Sequence, residues 1–251
     1  MLRSWLDRLQ AWLRPGLRSR QALAQRISDA YWRGLDRYDY KTICPTRWED
    51  QVRFTETHVL PRLDPAFRVV DLGCADGWYT ALIAPHVRAV DAFDISPGCI
   101  ATAQAKGLPG VRFAVADLSS PDFYKDLPVY DAAFCMGLFT CFLDDGKFRR
   151  VLRRLRSRVR PGGHLFLKDT LVEGATTDFA QVHGLPLTPD CSYAARYRNR
   201  DEYVAAFAAA GFTLVEEVRS REVVLGTRPH FFVMAADGQG NHRAKGNHSQ
   251  P

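Results

Sequence analysis

The stretch VVDLGCADGWYT, residues 69–80, joins the end of an apolar run to a turn made of small residues. Val69 and Val70 carry the β-branched side chains typical of a buried strand, and Asp71 follows them directly. The next residues, 73–77, include two glycines and an alanine, which let a ligand approach the backbone closely. A helix predicted to begin after this turn would offer unpaired N–H groups to that ligand. The stretch therefore predicts a binding turn between a strand and a helix.

Short β-rich runs alternate with helical segments from Arg68 to Thr170. This alternation predicts crossover units and a mostly parallel sheet with helices on both faces. Ser96 and Pro97 have the residue types that begin a helix. After Thr170 we expect a loop-rich stretch over 171–199, a helix over 200–210, and two final strands, FTLVEEV and HFFVMAA. The predicted organisation is an N-terminal helical extension (1–62), an α/β domain (63–237) and a disordered polar tail (238–251).

The positive charge of the chain lies mostly in its N-terminal part. Residues 1–37 hold eight arginines and three aspartates, and so five of the six net positive charges. Residues 2–13 place two tryptophans and four leucines at helical spacing, with arginines on the other face. This pattern predicts that residues 1–14 contact a membrane interface or a partner protein, with packing on the chain's own domain as the alternative. The basic run 147–160 has one apolar face, which favours a sheet-covering helix over nucleic-acid binding.

The composition limits the compartment and the class of site. An apolar fraction of 46% is enough for one sizeable core, and no apolar run reaches the roughly 18 residues that cross a bilayer. Six cysteines occur, but no two have the C-x-x-C spacing of a zinc or redox site, and we predict no metal. Scattered thiols and the lack of a secretory signal pattern predict a cytoplasmic protein, with peripheral contact at the inner membrane face as an option.

Acidic residues end the next two predicted strands as well. Asp94 can accept two hydrogen bonds from ribose hydroxyls, and Asp117 can accept one from an adenine amino group. An adenosine ligand of either NAD(P) or S-adenosylmethionine would fit these two acids. Asp71 distinguishes the two cofactors. A carboxylate ahead of the glycines would repel the pyrophosphate of NAD(P), whereas it tolerates the cationic amino-acid group of S-adenosylmethionine. The alternative is that all three acids only cap turns or face solvent.

Residues 67–236 resemble the class I S-adenosylmethionine-dependent methyltransferases of the bacterial small-molecule and saccharide type. The motifs that carry the resemblance, in chain order, are VVDLGCADGWYT, DAFDIS, FAVADL, YDAAFCMG, VRPGGHLFLKD and AAAGFTLVEEV with HFFVMAA. Ala75 replaces the commonest middle glycine of the first motif. The resemblance implies a Rossmann-like, doubly wound sheet of seven strands, mostly parallel with an antiparallel last strand. It also implies that S-adenosyl-L-methionine contacts Asp71, Gly73, Cys74, Ala75, Gly77, Asp94, Ile95, Asp117, Leu118, Cys135 and Met136.

The catalytic group is harder to predict than the cofactor site. The N-P-P-Y type motif of amino-base methyltransferases is absent, and Phe139, Thr140 and Cys141 stand where many small-molecule relatives have a histidine. Asp169 is the preferred candidate for removing a proton from the acceptor, because protein N-terminal amine methyltransferases resemble this chain in its KD pair. An ion pair of Lys168 and Asp169 on the surface is the alternative. The remaining candidates for the base are His183 and His230, each with a structural role as the alternative. Tyr38 and Tyr40 could form a lid over the cofactor, but packing in the core or on the surface is the favoured role for both.

The acceptor is predicted from the segment 193–212, which resembles bacterial methyltransferases of small molecules, natural products and surface saccharides. We expect methyl transfer to oxygen or nitrogen of a small-molecule, saccharide or lipid-linked acceptor, in a pocket shaped by residues 171–199. Three alternatives stay open at this point: an enzyme like the protein N-terminal amine methyltransferases, an NAD(P)-dependent oxidoreductase, and a non-catalytic S-adenosylmethionine-binding subunit.

Overall fold

The computed structural model describes residues 17–174, 178–183, 192–224 and 226–238. The amphipathic helix predicted over residues 2–13 and the tail predicted to be disordered, from residue 239 onward, lie outside these ranges. Among the residues that are described, no helix has the length and apolar character needed to cross a bilayer.

The described part of the chain starts with three helices. Helix α1 spans Leu17–Arg33, α2 spans Tyr40–Ile43, and α3 spans Pro45–Phe54. A π-helical turn, Thr55–Val59, and a 3₁₀ turn, Leu60–Arg62, lead from α3 to the first strand. The side chain of Asp39 caps α2 by accepting a hydrogen bond from the backbone N–H of Thr42, and a proline in the first turn of α3 suits its start.

Seven strands form one sheet, in the order β3-β2-β1-β4-β5-β9-β8. Their bounds are β1 Arg68–Leu72, β2 Ala89–Asp94, β3 Val111–Val115, β4 Tyr130–Met136, β5 Val159–Val172, β8 Phe212–Arg219 and β9 Thr227–Ala236. β9 pairs antiparallel with both β5 and β8, and the other neighbouring strands pair in parallel. The predicted fold class is therefore confirmed, including the reversed last strand.

Helices cover both faces of this sheet. They are α4 (Trp78–Ile83), α5 (Pro97–Gln104), α6 (Asp145–Arg156) and α7 (Arg200–Ala210). α5 begins where predicted, since the hydroxyl of Ser96 accepts a hydrogen bond from the N–H of Cys99 at 3.0 Å. The basic helix α6 buries Phe148, Val151, Leu152 and Leu155, which confirms its predicted role in covering the sheet.

The prediction of a loop-rich stretch over 171–199 is wrong in part. β5 extends to Val172, and Asp178–His183 (β6) pairs antiparallel with Ser192–Tyr197 (β7) in a separate two-stranded sheet. Each of these strands is only six residues long, and such short runs give a weak periodic signal.

The N-terminal helices pack on the α/β domain. The side-chain amide of Gln25 donates a hydrogen bond to the carbonyl oxygen of Cys141 at 3.0 Å, and its oxygen accepts one from the N–H of Leu143 at 3.0 Å. The hydroxyl of Ser28 donates to the carbonyl oxygen of Ala194 in β7. These bonds hold α1 beside the carboxyl ends of the parallel strands, where the candidate site lies.

Candidate active site

A cavity of about 540 Å³ opens at the carboxyl ends of the parallel strands. The predicted residues that line it are Asp71, Gly73, Cys74, Ala75, Asp94, Ile95, Asp117, Leu118, Met136 and Asp169. Its opposite wall comes from the N-terminal helices and from β7. The sheet thus brings residues from five strands, spread over about a hundred positions of the sequence, to one place.

Asp71 is the last but one residue of β1, and its side chain is almost completely buried. Its carboxylate accepts a hydrogen bond from the hydroxyl of Thr80, in α4, at 2.6 Å. Burial raises the pKa of Asp71 to about 7, and the hydrogen bond from Thr80 opposes that rise. A cationic group placed next to Asp71 would favour its ionised form, whereas an anion there would be repelled.

The glycine turn has a backbone that only small residues adopt easily. Gly73 and Gly77 have φ angles of +77° and +76°, and Ala75 has a φ of +47°. A Cβ at Gly77 would stand 2.9 Å from the ring of Phe113, so that glycine is needed for helix and sheet to approach. For Ala75 the left-handed conformation costs about 1–2 kcal/mol. The position that usually holds glycine in the family therefore keeps the glycine conformation here.

Asp94 holds this turn in place. One carboxylate oxygen accepts a hydrogen bond from the N–H of Ala75 at 2.9 Å, and the other accepts one from the N–H of Ser96 at 2.9 Å. Each carboxylate oxygen can accept further hydrogen bonds. Asp94 can therefore hold the strained turn and still bind the hydroxyls of a ribose.

Asp117 lies after β3, at the far end of the cavity. One of its oxygens accepts hydrogen bonds from the N–H and the hydroxyl of Ser119, and the other is 3.3 Å from the guanidinium of Arg33. Burial disfavours the ionised form of Asp117, but the hydrogen bonds from Ser119 and the positive charges of Lys147 and Arg33 together lower its pKa. The carboxylate stays an acceptor next to the space where an adenine amino group is expected.

Lys168 and Asp169 lie in the second half of β5, three to four residues before its last residue, Val172, and both side chains are buried. The alternative of an ion pair on the surface is therefore excluded. One oxygen of Asp169 accepts hydrogen bonds from the N–H of Phe139 at 3.0 Å and from the hydroxyl of Tyr203 at 2.8 Å. Its other oxygen is buried and has no partner among the described residues. Burial raises the pKa of Asp169 to about 6.

Two predicted residues, Cys135 and Gly77, are not part of the cavity lining. Cys135 is fully buried in the core, because side chains alternate along β4 and the next residue, Met136, takes the cavity side. Cys135, predicted to contact the cofactor, is therefore not among the residues that line the cavity. Gly77 starts α4 and is not part of the cavity lining. The backbone of His183 lies in β6, and its side chain is outside the described residues.

His230 also lies outside the cavity lining. It is buried in β9, where its Nδ1 atom lies 2.7 Å from a carboxylate oxygen of Glu217 and its Nε2 atom lies 3.5 Å from Glu173. It does not line the cavity. This geometry gives His230 the structural role that was the alternative to a catalytic one.

Aromatic side chains form much of the wall opposite the sheet. Tyr40 stacks on Trp78 with ring centroids 5.7 Å apart, and Tyr38 stacks on Tyr40 at 6.0 Å. Tyr38 also meets Trp32 edge to face. Tyr38 and Tyr40 line the cavity and pack on neighbouring rings, so they combine the packing role with a place beside the site. Sequence reasoning missed Trp32, Trp78 and also Arg47, and the crowding of aromatic residues in 31–48 was the available signal.

A family model described as a methyltransferase domain matches residues 38–217, which is more than half of the chain. The chain belongs to this family, the class I S-adenosylmethionine-dependent methyltransferases. Membership of this family favours S-adenosylmethionine over NAD(P) as the ligand of the cavity.

Solved structures share the fold of this methyltransferase. The DhpI complex with SAH aligns with a TM-score of 0.65 and 20% identity, over 86% of this chain and 98% of DhpI. The N-methyltransferase NodS from Bradyrhizobium japonicum WM9, in complex with S-adenosyl-L-homocysteine, aligns with a TM-score of 0.62 and 17% identity, over 85% of this chain and 98% of NodS. At these identities the likeness supports the fold.

A curated relative is the probable cobalt-precorrin-6B C(15)-methyltransferase (decarboxylating) of Methanothermobacter thermautotrophicus. It is 30% identical over 108 residues, which are 41% of this chain and 53% of the relative. The match thus spans about half the length of that relative.

The buried Asp71 predicts a pH dependence of stability. Because its pKa rises from 3.8 to about 7 on folding, the folded chain holds a proton there that the unfolded chain releases. The contribution of this proton to the stability of the folded chain is complete below about pH 4 and is lost as the pH rises towards 7. Asp71→Asn has no such proton and can still accept the bond from Thr80. Between about pH 5 and pH 8 we expect the free energy of unfolding to fall less in Asp71→Asn than in the wild type. The two decreases should differ by more than about 1 kcal/mol.

Urea denaturation of both proteins at several pH values measures this difference. Asp169 titrates in the same direction in both proteins, so the comparison isolates Asp71. Parallel stability curves would contradict the pKa assigned to Asp71.

Proposed function

We propose that this methyltransferase moves a methyl group from S-adenosylmethionine to oxygen or nitrogen of a small-molecule, saccharide or lipid-linked acceptor. The site residues fit the cofactor: Asp94 and Asp117 suit its adenosine, and Asp71 suits a nearby positive charge. The glycine turn leaves room beside the backbone. When bound, S-adenosylmethionine supplies an activated methyl group on a positively charged sulfur atom.

One observation carries the proposed chemistry: the buried oxygen of Asp169 that has no partner among the described residues. Asp169 lines the cavity, and Phe139 and Tyr203 hold its other oxygen. A carboxylate whose pKa is raised to about 6 is deprotonated at neutral pH and can accept a proton from a hydroxyl or ammonium group. In the proposed mechanism Asp169 orients the acceptor and takes this proton, while the walls of the cavity exclude water.

The size of the cavity supports a small acceptor. Its volume of about 540 Å³ falls in the range of small-molecule sites, about 300–1,000 Å³, and must hold the cofactor as well. Ala195 and Tyr197 of β7 close one side of it. This arrangement favours a small acceptor group over a folded protein or a nucleic acid. Contact of residues 1–14 with a membrane or a partner stays a prediction from the sequence.

The test is an acceptor screen with S-adenosylmethionine labelled on the methyl group. We expect label to appear in a small molecule, saccharide or lipid-linked fraction of the cell of origin, and Asp169→Asn protein serves as the control. If S-adenosylhomocysteine binds but no fraction gains label, the alternative of a non-catalytic binding subunit is supported and the proposed function fails.

A further inference from the structure

Lys168 is a buried cation that faces the cavity without a carboxylate partner. Its ammonium group donates a hydrogen bond to the hydroxyl oxygen of Tyr40 at 2.8 Å, and the side chain is only 6% exposed. No ion pair joins it to an acidic residue in the part of the chain that the structure describes. Asp169, its neighbour in β5, lies on the other side of the strand and is bound to Phe139 and Tyr203.

The surroundings of Lys168 keep this charge poorly compensated. Arg47 also lines the cavity, and it already pairs with Glu222 at 2.6 Å. Burial lowers the pKa of Lys168 to about 8 and Arg47 adds to this shift, while Asp169, Cys44 and Glu222 oppose it. A buried ammonium group is costly unless an anion comes close to it. The wall formed by α2, α3 and the end of β5 therefore attracts a negatively charged group.

Tyr40 supplies a second donor at the same point. Burial raises the pKa of its hydroxyl above the usual range, so it keeps its proton. Because the oxygen accepts a hydrogen bond from Lys168, the proton can be donated elsewhere. The ammonium nitrogen and the hydroxyl oxygen are 2.8 Å apart and both residues line the cavity, which suits the two oxygens of one carboxylate.

We propose that Lys168 and Tyr40 form a subsite that binds a carboxylate group inside the cavity. The inference rests on the proposed function, because it assigns a second contact within the same methyl-transfer site. The carboxylate belongs either to the methionine portion of the cofactor or to the acceptor. In both cases Lys168 acts as a positioning residue that orients one reactant relative to Asp169.

The first experiment measures binding to the full chain by calorimetry. The probes are S-adenosylhomocysteine, which has the carboxylate, and 5′-methylthioadenosine, which lacks it. If the cofactor supplies the carboxylate, Lys168→Met weakens S-adenosylhomocysteine about tenfold or more and leaves methylthioadenosine within about twofold. Lys147→Met is the matched control, a second lysine of the cavity wall, and should not change the ratio of the two affinities.

The second experiment follows Lys168 itself in wild-type protein. The chain has six lysines, few enough to assign the Lys168 signal with the Lys168→Met variant after isotopic labelling of lysine side chains. A bound carboxylate must raise the pKa of Lys168, since an opposite charge favours the ammonium form. A rise on adding S-adenosylhomocysteine identifies the cofactor as the source. A rise only when acetate is added to that complex identifies the acceptor.

The proposal is overturned if neither S-adenosylhomocysteine nor acetate raises the pKa of Lys168 and the affinity ratio is the same in Lys168→Met. This outcome differs from failure of the proposed function. If the proposed function fails, S-adenosylhomocysteine does not bind or no acceptor is labelled, while the response of the pKa of Lys168 to acetate can still be measured.

Discussion

Replacing Asp169 with asparagine should slow methyl transfer to the acceptor about a hundredfold or more, while S-adenosylhomocysteine binds with nearly unchanged affinity. The asparagine oxygen can still accept hydrogen bonds from Phe139 and Tyr203. Its amide group cannot take a proton, so the base is lost while the site keeps its shape. Single-turnover methyl transfer from labelled cofactor measures the rate, and calorimetry measures the binding.

A matched variant separates a catalytic from a structural role of Asp169. With a base of pKa about 6, the rate of the wild type should rise between about pH 5 and pH 7 and then level off. The hydroxyl of Tyr203 lowers the pKa of Asp169, so Tyr203→Phe should move this rise to higher pH. Asp169 would be ruled out as the base if two results were found together: Tyr203→Phe has the same pH dependence of the rate as the wild type, and Asp169→Asn is active.

Asp94→Ala should weaken the binding of S-adenosylhomocysteine about a hundredfold or more and leave the fold intact. Two hydrogen bonds from ribose hydroxyls to a carboxylate contribute about 1.5–3 kcal/mol each, and together they exceed a hundredfold in affinity. The variant also frees the N–H groups of Ala75 and Ser96, which loosens the turn. Calorimetry gives the affinity, and circular dichroism during heating checks the fold.

Asp94→Asn is the control for this substitution. It keeps one acceptor oxygen and the size of the side chain, so we expect a loss of affinity between those of the wild type and Asp94→Ala. An Asp94→Ala protein that binds S-adenosylhomocysteine within about threefold of the wild type would contradict the assignment of Asp94 to the ribose.

Local patterns predicted the sheet and the sheet side of the site. Apolar runs that end in Asp71 and Asp94 mark both a strand and its carboxyl end, and the parallel topology then brings those ends together. The position of Cys135 outside the cavity lining has a local cause as well. Strand alternation separates it from Met136, but β4 is apolar on both faces, so its sequence does not indicate which side faces the cavity.

The opposite wall could not be predicted in the same way. It depends on hydrogen bonds between residues far apart in sequence, such as Gln25 with Cys141 and Tyr40 with Lys168. Such polar contacts have no periodicity that a sequence reveals. The burial of Lys168 and Asp169 follows from this wall, because α2 and α3 cover one face of β5 and α7 covers the other.

The placement of α1 has a consequence for the boundary of the catalytic unit. The family pattern begins at residue 38, but Gln25, Asp29 and Trp32 of α1 already line the cavity. A fragment that began at residue 38 would therefore lack part of the cavity wall. The helix ahead of the family pattern belongs to the site, and any shortened form of this enzyme has to keep it.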